Sequence, residues 1–223
     1  MSEEFIIDTT QNFEVRMNFT FGITTDYKNE QRLNEVCDSI AALNIPNYEI
    51  LIIGQGFLND TANAKHIFFD ETVKEKWVTR KKNILAQEAK YDNVVIFHDY
   101  YTFDKDWYTN FVAFGEDWDV CSNAQQLITG KRHFTDWVCW DSRIFPRYTS
   151  LRYDDWGHTK FMYQSGGYMI VKKDFMKKCP MNEEMTWGSA EDVEWSLRMR
   201  EIANWKCNGA SIVKHNKVHR DAE

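Results

Sequence analysis

The chain has 223 residues and a formal net charge of −7, and 43% of its residues are hydrophobic. This length is enough for one compact domain with a full core, and the composition excludes a largely disordered chain. The acidic balance argues against a nucleic-acid-binding protein, because phosphate recognition depends on a surplus of clustered Lys and Arg. We therefore expect a single domain over residues 1–223 that does not bind nucleic acid.

The sequence has no feature that directs it to a membrane or out of the cell. No apolar stretch approaches the roughly 20 residues that cross a bilayer, so no transmembrane segment is expected. The N-terminus Met1-Ser2-Glu3-Glu4 is acidic, whereas a secretory signal begins with basic residues. The five cysteines are scattered without a C-x-x-C pair, which is typical of reduced thiols and not of structural zinc. These features predict a cytoplasmic protein.

Strands and helices alternate in the first half of the sequence. Apolar runs predict strands at residues 19–25, 48–53 and 66–69, and helical spacing of apolar positions predicts helices over residues 29–43 and about 78–90. Asn29 is available as the N-cap of the first helix. With the strand described next, the order is β-α-β-β-α-β, which favours an α/β fold with a central, mostly parallel sheet.

Residues 93–97 form a short apolar run that ends in His98-Asp99. Such a run predicts a strand that is covered on both faces, and ligands in parallel α/β sheets bind beyond the carboxyl ends of the strands. An acid and an imidazole at that position could hold a divalent cation and a phosphorylated ligand. The structural alternative, equally supported by this stretch alone, is that Asp99 opens a turn or caps the next element.

The second half is less regular. The sequence predicts a strand near Val120, a strand at residues 166–171 that begins with Gly166-Gly167, a helix at about 191–202, and a last strand at 211–219. Glu191 and Asp192 begin that helix, where the helix dipole favours acids by about 0.3 to 1 kcal/mol. That stabilisation is one explanation of the pair. The functional explanation is a general base that removes a proton from an acceptor hydroxyl during group transfer.

Two further groups of residues could serve a phosphorylated ligand. His215, and less favourably His219, could complete a metal shell begun by Asp99. Mixed oxygen and nitrogen ligands suit Mn²⁺ better than Ca²⁺, and Mg²⁺ held through carboxylate, water and diphosphate oxygens is the alternative. The helix start Arg80-Lys81-Lys82-Asn83 could meet a diphosphate with cations and free N–H groups. Surface histidines and a solvated basic helix face are the structural alternatives.

Residues 132–141 combine aromatic and charged side chains without periodicity. A loop over the site and a folded structural loop explain this pattern equally well. In the first case Asp136, Trp137 and Trp140 would contact the hydroxyls and ring faces of a bound ligand.

The order of these motifs resembles that of the GT-A-fold glycosyltransferases of the family 2 kind. The motifs are Thr24-Thr25-Asp26, the helix start at residues 79–83, His98-Asp99-Tyr100-Tyr101, Gly166-Gly167, Glu191-Asp192 and a late His. The resemblance extends from about residue 18 to residue 219. It implies transfer of a hexosyl or deoxyhexosyl sugar from a nucleotide diphosphate sugar to a glycan or other hydroxyl acceptor, with inversion at the anomeric carbon. It also implies that Asp192 is the base, beside Glu191.

The resemblance divides the chain into a donor half at residues 18–101 and an acceptor and catalytic half at 102–223. The donor nucleoside is expected near Thr24, Thr25 and Asp26, and its diphosphate between Asp99 and Lys82, with Arg80 and His98 nearby. Gln55, within Gly54-Gln55-Gly56, stands where family members often carry an acid that contacts the base. The acceptor is expected between Trp187 and the Asp136–Trp140 segment.

The sequence departs from the family at the metal motif. The usual Asp-x-Asp motif is reduced to one carboxylate, Asp99. We therefore expect one of three arrangements: a weakly bound metal, a metal that His98 or His215 helps to bind, or basic residues in place of the metal. Two other functions are compatible with the fold or with a metal motif that keeps only one acid. One is a sugar-phosphate nucleotidyltransferase, although no Gly-rich phosphate loop follows Thr25. The other is a catalytically silent module that binds nucleotide sugars or glycans.

Overall fold

The computed structural model describes residues 16–56, 64–140, 146 and 148–217. The strands within these ranges are β1 (Phe19–Thr24), β2 (Tyr48–Gly54), β3 (Ala64–Phe68), β4 (Asn93–His98), β5 (Tyr101–Phe103), β6 (Val120–Leu127), β7 (Val138–Cys139), β8 (Thr149–Ser150), β9 (Met162–Tyr163), β10 (Tyr168–Lys172) and β11 (Trp205–His215). The α-helices are α1 (Glu30–Ala41), α2 (Val78–Glu88), α3 (Trp107–Phe114), α4 (Lys173–Lys178) and α5 (Glu191–Met199).

Eight of these strands form one sheet in the order β3-β2-β1-β4-β10-β6-β11-β5. The pairs β1–β2, β2–β3, β1–β4 and β6–β11 are parallel, whereas β10 runs antiparallel to β4 and β6, and β5 antiparallel to β11. The predicted α/β fold with a mostly parallel sheet is confirmed. A second, three-stranded sheet has the order β8-β7-β9.

Helices cover both faces of the large sheet because its central strands are apolar on both sides. In β4, Val95 and Phe97 face one core with α1 and α3, and Val94 and Ile96 face the other core with α2, α4 and α5. The side chain of Asn29 caps α1 by accepting a hydrogen bond from the Arg32 backbone N–H, as expected. This two-sided burial fixes the central strands and therefore the positions of their carboxyl ends.

The second half differs from its predicted pattern in several elements. Helix α3 was not predicted, since only a strand near Val120 was expected in that part of the chain. The last strand, β11, begins at Trp205, six positions before its predicted start at residue 211. Helix α5 ends at Met199, whereas a helix to about residue 202 was predicted. His219, the less favoured metal candidate, lies outside the described residues. Within the described ranges, no helix has both the length and the apolar character needed to span a bilayer.

Candidate active site

The carboxyl ends of the first-half strands open into a cavity of about 740 Å³. Thr24, the last residue of β1, is in register with His98, the last residue of β4. The cavity therefore lies at the edge where open α/β sheets bind ligands. The sequence-predicted residues that line its floor and wall are Thr24, Thr25, Asp26, Gln55, His98 and Asp99.

A close approach of two chain segments shapes this edge at Gly54. A Cβ atom at Gly54 would lie 2.3 Å from the carbonyl oxygen of Thr25 and 2.9 Å from the Tyr27 ring. The Tyr27 hydroxyl in turn lies 2.9 Å from Nδ1 of His66. Glycine at position 54 therefore lets the segment after β1 lie directly against the end of β2.

We expect Gly54→Ala to reduce the free energy of unfolding by about 1 to 3 kcal/mol, the usual effect of overpacking. The displaced segment carries Thr25 and Asp26, so ligand binding in the cavity should weaken as well. Gly157→Ala is the matched control, because the nearest atom to its added Cβ would be 3.9 Å away. Urea denaturation measures the change, and equal stability of the two variants would contradict the close approach.

Asp99 is held by two neighbours from the first half of the chain. Its Oδ2 accepts a hydrogen bond of 2.6 Å from the Thr25 hydroxyl, and its Oδ1 lies 3.4 Å from the Arg32 guanidinium. Burial raises the pKa of Asp99, while the Thr25 hydrogen bond and the Arg32 charge oppose that rise. Both carboxylate oxygens thus have a partner within the protein.

His98 is a neutral imidazole at the floor of the cavity. Its Nδ1 lies 2.8 Å from the Thr24 hydroxyl, and its ring stacks on that of Tyr100 at 5.4 Å between centroids. Desolvation, followed by the positive charges of Lys82, Lys81, Lys217 and His215, lowers the pKa of His98 to about 3. Burial is the largest cause of this shift, and the charges of nearby lysines add to it.

The arrangement does not fit the Mn²⁺ or Mg²⁺ site expected from Asp99 and His215. His215 is buried, stacked on His133 at 4.6 Å and in edge contact with Tyr101 at 5.0 Å. No group of three or more His, Cys, Asp or Glu side chains within the described ranges could hold a metal ion. Asp99 already accepts from a hydroxyl and a guanidinium, and the described residues of the second half supply no ligand set that completes its shell.

Asp192 lies at the first turn of α5 beside the start of β10. Its Oδ2 accepts hydrogen bonds from the Gly166 backbone N–H at 2.9 Å and from the Tyr163 hydroxyl, and its Oδ1 accepts from the Val193 N–H. A Cβ at Gly166 would lie 3.0 Å from that same Oδ2, so glycine permits the contact. The carboxylate is therefore fixed in one orientation by groups from two other elements.

Glu191 is more enclosed than Asp192. Its side chain is buried, its Oε2 accepts a hydrogen bond from the Gly188 N–H, and burial raises its pKa. Asp192 is only partly buried. Of the two acids, Asp192 is the more exposed to solvent.

The predicted basic helix start is placed differently from what the sequence suggested. Arg80 pairs with Glu183 at 2.9 Å and does not line the cavity. Lys82 is fully buried, and its Nζ donates to the Gly166 carbonyl oxygen at 2.6 Å. Burial lowers the pKa of Lys82, opposed by the charges of Asp192 and Glu191. Lys82 thus supports the Gly166 turn and Asp192, and Lys81 is the member of this run that reaches the cavity.

Asp136 and Trp137 have packing roles in the structure. Asp136 is buried and accepts hydrogen bonds from Arg132 at 2.8 Å and from the Tyr153 hydroxyl at 2.7 Å. The Trp137 ring is fully buried and packs on Trp205 at 5.1 Å. The expectation that this segment is a loop over the site is therefore wrong for these two residues, which have no surface available to an acceptor.

The other two predicted acceptor residues keep accessible surface, since Trp140 is partly buried and Trp187 is exposed. The Trp140 ring packs 5.1 Å from the ring of Tyr163, whose hydroxyl binds Asp192. Trp187 is 57% exposed and lines the cavity. Trp187 therefore borders the cavity, and Trp140 borders the tyrosine that holds Asp192.

Several residues of the site were not selected from the sequence. Arg32 and Lys217 line the cavity, and Tyr163 orients Asp192. Arg32 follows the Asn29 cap on the hydrophilic side of α1, and nothing local distinguishes it from other surface cations. The position of Lys217 depends on β11 pairing with β5, a contact between distant parts of the chain.

Comparison with solved structures identifies the fold. The structure of S. aureus TarS 1–349 in complex with UDP-GlcNAc superposes with a TM-score of 0.63 at 15% identity, covering 92% of this chain and 60% of that one. The complex of TarS 1–349 with UDP gives 0.59 at 15% identity, covering 91% and 59%. A longer TarS structure gives 0.62 at 14% identity, covering 90% of this chain and 37% of that one. This chain therefore spans about three fifths of TarS 1–349.

Neither a protein-family model nor a curated protein matches the sequence. The structural likeness extends over nearly the whole chain. It agrees with the architecture that the order of sequence motifs indicated. The chain has the GT-A-like fold of glycosyltransferases such as TarS.

Proposed function

We propose that this protein is an inverting glycosyltransferase that transfers a hexosyl or deoxyhexosyl group from a nucleotide diphosphate sugar to a hydroxyl of a glycan or other acceptor. The observation that carries the proposal is the pairing, in one GT-A-like fold, of the cavity at the strand ends with the fixed carboxylate of Asp192. TarS, which shares the fold, is seen in complex with UDP-GlcNAc and with UDP.

Asp192 supplies the chemistry of a general base. Its carboxylate takes the proton of the acceptor hydroxyl as the hydroxyl oxygen attacks the anomeric carbon. The new carbon–oxygen bond forms on the face opposite the diphosphate, and the electron pair of the broken bond leaves with the nucleoside diphosphate. Attack from the opposite face inverts the anomeric configuration. The Tyr163 hydroxyl and the Gly166 N–H hold the carboxylate in place for this step.

The donor occupies the cavity in this proposal, with its nucleoside against Thr24, Thr25, Asp26 and Gln55. These residues belong to the donor half at residues 18–101, and the second half contributes Trp187 to the cavity wall. The acceptor enters beside Trp140 and Trp187, so that its hydroxyl faces Asp192. Flat aromatic rings suit the apolar faces of sugars.

A panel of nucleotide sugars tests the proposal. At least one member should raise the unfolding temperature, because a ligand that binds only the folded state stabilises it. The same compound should then release its nucleoside diphosphate when acceptors are added. Stabilisation without turnover would favour a silent binding module, and formation of a nucleotide sugar from a sugar phosphate would favour a nucleotidyltransferase.

Asp26→Ala and Trp140→Ala should affect different substrates. The Asp26 side chain is half exposed in the cavity, and loss of a hydrogen bond to a charged group should weaken nucleoside diphosphate binding about 10-fold. Trp140→Ala should leave that affinity unchanged and lower transfer to the acceptor. Calorimetric titration and a transfer assay separate the two effects, and weaker nucleotide binding by Trp140→Ala alone would refute this division.

A further inference from the structure

Building on the proposed function, we propose that this site binds the donor diphosphate with its own cations, Lys217 foremost, and does not require a divalent metal. The inference rests on the partners of Asp99, on the residues that follow it and on the charges around the cavity. It assigns Lys217 as a residue that contacts the departing diphosphate.

Asp99 is poorly placed to serve as a metal ligand. Its Oδ2 accepts a short hydrogen bond from Thr25, and its Oδ1 faces Arg32. A bound Mg²⁺ needs an oxygen at about 2.0 to 2.1 Å. A cation at that distance from Oδ1 would lie beside the like charge of the guanidinium. In this environment Asp99 positions Arg32 at the cavity wall.

The neighbours of Asp99 also lack the second acid of a metal motif. On one side stands the His98 imidazole, whose Nδ1 lies against the Thr24 hydroxyl. On the other stands the Tyr100 phenol, whose ring stacks on His98. The carboxyl end of β4 therefore presents an imidazole, one paired carboxylate and a phenol. This set supplies less negative charge than an Asp-x-Asp pair would offer a cation.

Among the described residues that line the cavity, the charges are balanced except for one lysine. Four carboxylates of this set each lie within salt-bridge distance of a lining cation: Asp26 with Lys28, Glu71 with Lys81, Glu75 with Lys76, and Asp99 with Arg32. Lys217 is the fifth cation of the set. The described lining is thus net positive in a chain of net charge −7, which favours an anionic group.

Lys217 is held at the cavity by backbone pairing. The N–H of Asn216 donates to the Tyr100 carbonyl oxygen at 2.8 Å, and the Asn216 side chain donates to the Thr102 hydroxyl at 3.0 Å. These bonds extend the β11–β5 ladder and bring the Lys217 ammonium to 5.6 Å from the centre of the Tyr100 ring. A fixed ammonium at the end of β4 can neutralise the charge that develops on the leaving diphosphate, as a metal would.

Calorimetric titration of the intact chain with UDP, GDP, CDP, ADP and dTDP tests the inference. Each nucleotide is titrated in EDTA and again with MgCl₂ or MnCl₂. The diphosphate that binds best should show affinities within about threefold under all conditions. Lys217→Ala should weaken the binding of that diphosphate about 10-fold with and without metal. The salt dependence of binding should also fall, since one cation fewer contacts the phosphates. Lys217→Arg should bind within about threefold of the parent chain.

Lys214→Ala is the matched control, because Lys214 lies in β11 three positions before Lys217, faces Asp104 at 3.9 Å and does not line the cavity. The affinity of the Lys214→Ala variant for the nucleotide should equal that of the parent chain. Binding that rises 10-fold or more on adding metal, or that is unchanged in Lys217→Ala, overturns this inference and leaves the proposed donor class intact. Failure of every nucleotide to bind under every condition overturns the donor class as well.

Discussion

Replacing Asp192 with Asn is expected to lower sugar transfer by about 10²-fold or more, the usual contribution of a general base. The amide has nearly the shape of the carboxylate, and its oxygen can still accept hydrogen bonds from Gly166 N–H and the Tyr163 hydroxyl. The fold and the donor cavity should therefore be retained. Initial rates of transfer at saturating donor measure the loss, and nucleotide titration checks that donor binding is unchanged.

Asp174→Asn is the matched control for this substitution. Asp174 also lies in the first turn of a helix, α4, and its side chain is 84% exposed, with Lys177 as its partner. The Asp174→Asn variant should lose only the small stabilisation that a surface acid gains from the helix dipole and its ion pair, and it should keep full activity. Near-normal transfer by Asp192→Asn would shift the base role to Glu191 or refute a carboxylate base at this helix.

Glu191→Gln helps to separate the two acids. Because Glu191 is buried and accepts from the Gly188 N–H, its substitution should act on the turn before α5 and on stability. We expect a smaller loss of transfer than in Asp192→Asn. A larger loss, with folding intact, would make Glu191 the base.

The sequence predicted the parts of the site that depend on local pattern. The apolar run before His98 and the run before Thr24 could each be recognised as a buried strand, and parallel pairing then places their ends together. Asn29 could be recognised as a helix cap because its side chain acts within one turn. These predictions need only the periodicity of the chain and the short reach of a cap.

The remaining features depend on contacts between residues far apart in the chain. Arg80 looked like a phosphate ligand, but Glu183 is its partner, about 100 positions away. The Thr79 hydroxyl likewise donates a hydrogen bond to the Met185 carbonyl oxygen, and neither Thr79 nor Arg80 lines the cavity. Lys217 reaches the cavity because β11 pairs with β5. Local pattern contains no signal for such pairings.

Trp137→Ala is expected to reduce the free energy of unfolding by about 3 to 5 kcal/mol, the range for removing a large buried aromatic side chain. Burial of this ring was not visible from the sequence, because its segment lacks periodicity. In the structure the ring is fully buried, packs on Trp205, and donates its indole N–H to the Asp155 carbonyl oxygen at 3.3 Å. Truncation would leave a cavity and an unpaired carbonyl oxygen.

Trp187→Ala provides the comparison of the same substitution at an exposed position. Trp187 is 57% exposed, so its replacement should change stability by no more than about 0.5 kcal/mol while weakening ligand binding at the cavity rim. Thermal unfolding should separate the two, since each kcal/mol shifts the midpoint of a chain this long by about 2 to 4 °C. A Trp137→Ala protein that unfolds at the parent temperature but has lost acceptor affinity would restore Trp137 to the acceptor site and refute its role in the core.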